Sequence, residues 1–452
     1  MSAYQSAIFI PLLRRQALDA NFAIQGKKTI TIRRFLADVR ALSEQLPDEK
    51  FVLNLCEDRY RFAVGFSAAM LRGQVSLLPP NHTVDLIKRL RQRYTGLYCL
   101  TDGASDPPEL QTYTYPELPG CVDERATMPE IPATQVVAIV FTSGSTGDPM
   151  PNDKTWGAVS QSVTGEAIRL GILDRHDLTL LGTVPPQHMY GFESTVLIAM
   201  RGGVMLHSAK PFYPGDISAA LHEISGPRVL ITTPVHLRTL VASQIILPKL
   251  EQIVCATAPL THDLAIKVEE YYGTTLHEIY GFTEAGQIAS RRTALTDEWR
   301  AFDGLSLRLI GETAYVSGGH VAGELPLGDI VELHGDTTFL LHGRTADLIN
   351  IAGKRTSLAN LNHHLNEIDG VQDGVFFMPD EKGEDTVRLI AFVVAPGLTN
   401  SEILNALRQR IDEIFLPRPI IKLNALPRNE TGKLPRASLE MLLRQRKSGA
   451  VS

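Results

Sequence analysis

Apolar positions along the chain switch repeatedly between helical and strand-like spacing, and that alternation sets the class of fold. Residues 32–46 carry apolar side chains at helical intervals, Phe51-Val-Leu-Asn-Leu55 is a short strand-like run, 62–72 is helical again, and Val75-Ser-Leu-Leu78 returns to a strand. This βα alternation predicts a sheet flanked by helices. Further apolar runs at 178–184, 229–232 and 250–255 have the length and composition of buried strands. Between them, residues 107–132 hold six prolines among acidic and polar residues, which neither a helix nor a central strand tolerates, so this stretch is expected to be a connector. From 307 to 341 the pattern becomes short strands with glycine turns, such as Thr313-Ala-Tyr-Val316 and Phe339-Leu-Leu341, which predicts a small β subdomain. After Gly343-Arg344 a separate unit of about a hundred residues is expected, with a strand at 387–394 and an amphipathic helix at 401–415.

Composition narrows the class. A chain of 452 residues exceeds what one hydrophobic core supports, and 44% apolar with 21% charged residues excludes a disordered chain. The longest apolar run, 62–71, is closed by Arg61 and Arg72 and falls short of the roughly 18 residues a membrane span needs. Apolar residues 7–13 precede Arg14-Arg15, the reverse of the charge order in a secretory leader, so a cytoplasmic protein is expected. A net charge of −6 argues against a nucleic-acid footprint, while leaving room for a local basic patch that receives an acidic carrier protein. Cys56, Cys99, Cys121 and Cys255 are scattered in apolar contexts without paired ligand spacing, so buried free thiols are expected rather than a zinc site or disulfides. Nothing in the sequence signals an oligomeric state.

The chemistry begins at Val140-Phe-Thr142-Ser143-Gly144-Ser145-Thr146-Gly147, an apolar strand running into glycines and hydroxyls. Glycines let backbone N–H groups turn toward an anion and hydroxyls add donors, a combination suited to a polyphosphate such as ATP. GxxxxGK[ST] does not occur, so this is no Walker loop. Downstream stand Tyr280-Gly281-Phe282-Thr283-Glu284-Ala285-Gly286, then Gly328-Asp329, Gly343-Arg344 and Asn429-Glu-Thr-Gly-Lys433-Leu-Pro-Arg436.

In order and spacing these motifs make the whole chain resemble the adenylate-forming superfamily of acyl-CoA synthetases, aryl-acid ligases, peptide-synthetase adenylation domains and luciferases. The resemblance implies an α/β fold: a large multi-sheet N-terminal domain, 1–344, binding ATP and the acid, and a small mobile α+β C-terminal domain, 345–452, carrying Lys433. It assigns the loop 142–147 to the β- and γ-phosphates. The lysine that usually follows is replaced by Met150, and Lys154, four positions on, is the candidate substitute. This altered loop, ending in Lys-Thr-Trp, resembles that of ligases feeding aryl acids into polyene pigment pathways.

The same resemblance gives Tyr280, with Gly281, to the adenine, Thr283 to the α-phosphate, Glu284 to Mg²⁺, and Glu278 to the position that faces the adenine amino group. An aromatic face suits a purine, and a hard carboxylate suits Mg²⁺. Asp329 matches the aspartate accepting both ribose hydroxyls, and Arg344 the arginine on the ribose and phosphate edge. Ala346 and Asp347 fall at the hinge, where Ala346 departs from the usual Asp or Lys. Lys433 matches the lysine that bridges carboxylate and phosphate during adenylation and leaves when the small domain rotates. His188 matches an aromatic gate, with Tyr190, Gly191, Ala256, Thr257 and Ala258 walling the acyl pocket.

The implied activity is ATP-dependent conversion of a carboxylic acid, of hydroxybenzoate type, to acyl-AMP, followed by transfer to a phosphopantetheine thiol of an acyl-carrier protein or CoA. Amino acids are disfavoured because Phe192-Glu-Ser194 is offset from the register of the aspartate that would pair an ammonium. Two other readings stand beside this one: a nucleotide-binding regulator that has lost ligation, to which Met150 and Ala346 point, and a fatty-acid ligase.

Overall fold

The computed structural model describes residues 8–14, 17–103, 109–118, 127–143, 149–257, 260, 262–311, 313–344, 348–351, 353–379, 388–427 and 436–447. They divide into two compact units: Met1–Pro80, Leu90–Thr142 and Pro151–Thr345 form the larger, and Asn81–Arg89, Ser143–Met150 and Ala346–Ser452 the smaller.

The larger unit is built on two sheets. The first has six strands in the order Pro149–Thr155, Val136–Ser143, Val75–Leu78, Phe51–Asn54, Leu97–Thr101 and Gln111–Thr114. The second has eleven, and its middle is parallel: Asn21–Gln25, Met205–His207, Thr179–Gly182, Arg228–Thr232, Gln252–Cys255 and Thr275–Phe282. Beyond Thr275–Phe282 it continues antiparallel through Gly286–Arg291, Glu298–Ala301, Thr338–Arg344 and Asp329–Leu333. Helix Arg59–Leu71 is apolar on nearly every face and packs on strands of both sheets, Phe51–Asn54 and Val75–Leu78 on one, Met205–His207 on the other. A helix buried all round needs no polar stripe, which is why its sequence lacks one.

The mixed α/β, multi-sheet fold read from the sequence is present, with instructive differences. The proline-rich stretch 107–132 contributes strand Gln111–Thr114 and the short strand Glu130–Pro132, which pairs with Phe9–Pro11. Both lie at sheet margins, where proline is tolerated. The predicted β subdomain is split. Leu305–Ile310, Thr313–Gly318 and Val321–Pro326 form their own three-stranded sheet, whereas Asp329–Leu333 and Thr338–Arg344 join the large one.

The smaller unit has its own core, with Leu361, Leu365, Phe376, Ala391, Val393, Ile403 and Leu407 at its centre, and its own sheet of Asp373–Phe377, Ile390–Val394 and Ile420–Lys422. The helix expected over 401–415 is interrupted. Asn400–Arg408 is helical behind a reciprocal cap of Thr399 and Glu402, and a separate 3₁₀ turn, Glu413–Phe415, starts at Asp412, whose carboxylate accepts the Ile414 N–H at 3.1 Å. An aspartate that bonds the backbone ahead of it competes with helix continuation. Cys56, Cys99 and Cys255 are buried free thiols, and Cys121 lies outside the described residues. Among the described residues no helix is long and apolar enough to cross a membrane.

Candidate active site

Strands Arg228–Thr232, Gln252–Cys255 and Thr275–Phe282 run parallel and side by side. In open α/β sheets ligands settle outside the carboxyl ends of such strands. Ala256 and Thr257 follow the second strand there. Thr257 has φ +85, a strained conformation for a β-branched residue, and its buried hydroxyl finds no partner among the described residues. Ala258 lies outside the described residues. His188 caps the short helical turn Met189–Gly191, its Nδ1 accepting the Tyr190 N–H at 3.3 Å. The Tyr190 hydroxyl donates to the Val254 carbonyl at 3.0 Å, joining this turn to the strand ends. Gly191 is required where it stands, since a Cβ would fall 2.0 Å from the Pro185 carbonyl oxygen. His188, Tyr190, Gly191, Ala256 and Thr257 thus belong to neighbouring segments.

The nucleotide motif is a tight hairpin. Phe282 pairs with Gly286, so Thr283, Glu284 and Ala285 form the connecting loop, and Gly281 meets the Gly286 carbonyl so closely that a Cβ would lie 2.3 Å from it. Glu284 is exposed. Tyr280, buried against Trp299 and Phe339, donates its hydroxyl to Asp329 Oδ2 at 2.6 Å. Asp329 is in turn the cross-strand partner of Arg344. Three positions spread over 64 residues of sequence, Tyr280, Asp329 and Arg344, are therefore brought together.

Glu278 meets different surroundings from those the sequence suggests. It is buried; its Oε2 accepts Arg291 Nε at 2.8 Å and the Thr293 hydroxyl at 2.7 Å, and its Oε1 accepts the Leu260 N–H at 3.1 Å. Both oxygens are committed inside the protein, so an adenine contact would have to share them.

Lys154 also differs from a solvated loop lysine. It is the last residue but one of strand Pro149–Thr155, is 7% exposed, and donates from Nζ to the Glu284 carbonyl oxygen at 2.8 Å. Burial lowers its pKa, and the carboxylates of Glu193 and Glu284 oppose that shift. Sequence reading did not assign roles to the buried acids behind it. Glu193, on the π-helical turn Phe192–Leu197, is pushed up to about 7 by burial. Glu166 is pushed up to about 8, chiefly by burial, and the Gln287 amide, turned so that its nitrogen faces the carboxylate, donates to both oxygens at 3.1 and 3.0 Å. Neither stands in a pattern that marks it in the sequence, Glu193 lying in Phe192-Glu-Ser-Thr-Val-Leu197 and Glu166 in Val163-Thr-Gly-Glu-Ala-Ile168.

Thr142, Ser143 and Arg344 are placed by their backbones alone, at strand ends. Gly144, Ser145, Thr146, Gly147, Ala346, Asp347 and Lys433 lie outside the described residues.

The His188–Tyr190 turn and the Ala256–Thr257 segment stand at the carboxyl ends of the parallel strands, the edge of an open α/β sheet where ligands settle. The chain belongs to the AMP-binding enzyme family, whose model matches residues 15–325. It is similar to a 4-coumarate–CoA ligase of Rhodobacter capsulatus, 26% identical over 71% of this chain and 81% of the relative. It is also similar to a 2-succinylbenzoate–CoA ligase of Bacillus cereus, 24% identical over 77% and 79% of the two chains. Among solved structures, o-succinylbenzoate CoA synthetase of Bacillus subtilis superposes with a TM-score of 0.80 at 18% identity, covering 94% of this chain and 96% of that one. An amide bond synthetase of Marinactinospora thermotolerans gives 0.77 at 17% identity, covering 94% and 97%. At such identities the likeness speaks to the fold. The protein is an AMP-forming acid–thiol ligase, and ligases of this family use ATP.

Proposed function

We propose that this ligase activates an aryl carboxylic acid of hydroxybenzoate type and passes the acyl group to the phosphopantetheine thiol of an acyl-carrier protein, with CoA as the alternative acceptor. The observation that carries the nucleotide half of this reading is the convergence of Tyr280, Asp329 and Arg344 beside the Thr283–Glu284 loop. Asp329 would accept the ribose hydroxyls while Tyr280 holds its second oxygen, and Arg344 would lie along the phosphate edge. The aryl preference is supported by curated relatives named for 4-coumarate and 2-succinylbenzoate. The His188–Tyr190 turn and the Ala256–Thr257 segment would wall the acyl group, the Thr257 hydroxyl, without a partner among the described residues, offering it a polar contact.

The donor set fits Mg²⁺. Glu284 is an exposed hard carboxylate and Thr283 a hydroxyl, the oxygen donors that suit an ion held jointly with substrate phosphates. Bound there, the ion would screen negative charge on the phosphates. The protein's own tasks would be to fix the loop bearing Glu284, to orient the ribose through Asp329, and to bring Lys433 to the reacting oxygens.

Acid-dependent ATP–pyrophosphate exchange across benzoates, cinnamates, fatty acids and amino acids tests this function. Exchange is expected with hydroxybenzoates, followed by acylation of a phosphopantetheinylated carrier. Exchange confined to fatty acids would overturn the aryl assignment, and silence with every acid would favour the regulator.

A further inference from the structure

The family's phosphate loop usually supplies a lysine where this chain has Met150, and the sequence offers Lys154 as its replacement on the pyrophosphate. The geometry gives Lys154 another task. Its ammonium is buried and turned to the backbone of Glu284, 130 residues away, the central residue of the three-residue loop between Phe282 and Gly286.

Lys154 is rigidly held from behind. The next residue, Thr155, caps helix Trp156–Arg169 by accepting the Ala158 N–H at 3.3 Å, and Trp156, fully buried, donates its indole N–H to the Ile10 carbonyl at 3.2 Å. Glu193, buried on the π-helical turn with Ser162 Oγ at 3.4 Å, opposes the lowering of the Lys154 pKa that burial causes. A short loop has few ways to orient its carbonyls. Tying the Glu284 carbonyl to a fixed ammonium limits the orientations open to a loop residue that is itself exposed.

We infer that Lys154 is a positioning residue, a buried strut running from the end of strand Pro149–Thr155 to the Glu284 carbonyl, which sets the metal-binding carboxylate in place and does not contact the departing pyrophosphate. The inference rests on the assignment of Glu284 to Mg²⁺. It explains how the chain dispenses with a lysine at 150: the cation is retained, and it acts on the protein's own loop.

Lys154→Met in the full-length chain removes the donor while keeping a similar volume. Three readings are compared with wild type: ATP affinity without metal, Mn²⁺ affinity of the ATP complex by electron paramagnetic resonance of free Mn²⁺, and amide hydrogen exchange across Thr275–Arg291. The strut predicts that Mn²⁺ affinity falls about 10-fold and exchange at 283–286 quickens, with metal-free ATP affinity unchanged. Lys154→Arg, which keeps charge and reach, is expected to restore metal affinity to within about threefold. A pyrophosphate contact predicts the opposite pattern, weakened ATP binding with unaltered Mn²⁺ affinity and exchange. It also predicts that adding Met150→Lys to Lys154→Met rescues turnover; that rescue, or unchanged metal affinity in Lys154→Met, overturns the strut. If Lys154→Met does not fold, Lys154→Gln, too short to reach the carbonyl, is judged on the same readings. Wild-type protein that binds no Mn²⁺ in the presence of ATP would instead refute the metal assignment of Glu284 on which the strut depends.

Discussion

Asp329 is the residue whose role can be isolated most cleanly. Its Oδ2 accepts the Tyr280 hydroxyl, and the proposed nucleotide site has the same carboxylate accept the ribose hydroxyls. Asp329→Ala is therefore expected to weaken ATP binding by roughly 10- to 100-fold, the scale of losing charge-assisted hydrogen bonds, as read by isothermal titration. Tyr280→Phe keeps the ring against Trp299 and Phe339 and removes only the hydroxyl, so a smaller loss is expected. Equal affinities in wild type and Asp329→Ala would remove Asp329 from the nucleotide site. These positions were picked out in the sequence by the resemblance of their motifs to the adenylate-forming superfamily, and the structure adds that Tyr280 and Asp329 touch. Lys154 and Glu278 were legible as positions but not as environments. Whether a lysine meets solvent or a carbonyl 130 residues away depends on strand packing that a linear pattern does not record.

Among elements, the π-helical turn Phe192–Leu197 carries more polar chemistry than its sequence suggests. Arg59, fully buried at the head of helix Arg59–Leu71, donates to Thr195 Oγ1 at 2.8 Å and to the carbonyls of Gly182 and Val184 at 2.8 and 2.9 Å. Burial pulls its pKa down to about 10, so it remains charged near neutrality. Arg59→Met leaves buried carbonyls unpaired and is expected to cost about 2–4 kcal/mol of stability in urea unfolding. No change in the unfolding midpoint would contradict the anchor.

Glu166 gives the same region a pH signature. Folding raises its pKa from the ordinary 4.5 to about 8, so across that interval the unfolded chain releases a proton that the folded protein keeps. Its contribution to stability is then fullest below about pH 4.5, declines toward pH 8 and is flat above. Glu166→Gln should flatten the fall in thermal midpoint between pH 5 and pH 8, and a variant with the wild-type slope would assign that slope elsewhere. Strand and helix positions in this unit were largely legible because apolar runs report burial directly, as at Val75–Leu78 and Arg228–Thr232. The break at Asp412 and the edge strand Gln111–Thr114 were not, since both turn on local competition for backbone hydrogen bonds.

At the scale of the molecule, the account requires two half-reactions served by one chain. The smaller unit carries Lys433, beyond the described residues, and the proposed cycle brings that lysine to the acid and α-phosphate for adenylation and withdraws it for thiol transfer. Carboxylate attack on the α-phosphate forms the acyl-AMP bond and expels pyrophosphate; thiol attack on the acyl carbon then expels AMP. Lys433→Ala should impair the first step and spare the second.

The most direct measurement is hydroxybenzoate-dependent ATP–pyrophosphate exchange in wild type and Lys433→Ala, with thioester formation from supplied acyl-AMP followed in parallel. The account predicts exchange in the wild type, roughly 10²–10³-fold slower exchange in the variant, and thioester formation largely retained in both. Equal exchange rates in the two proteins would contradict it.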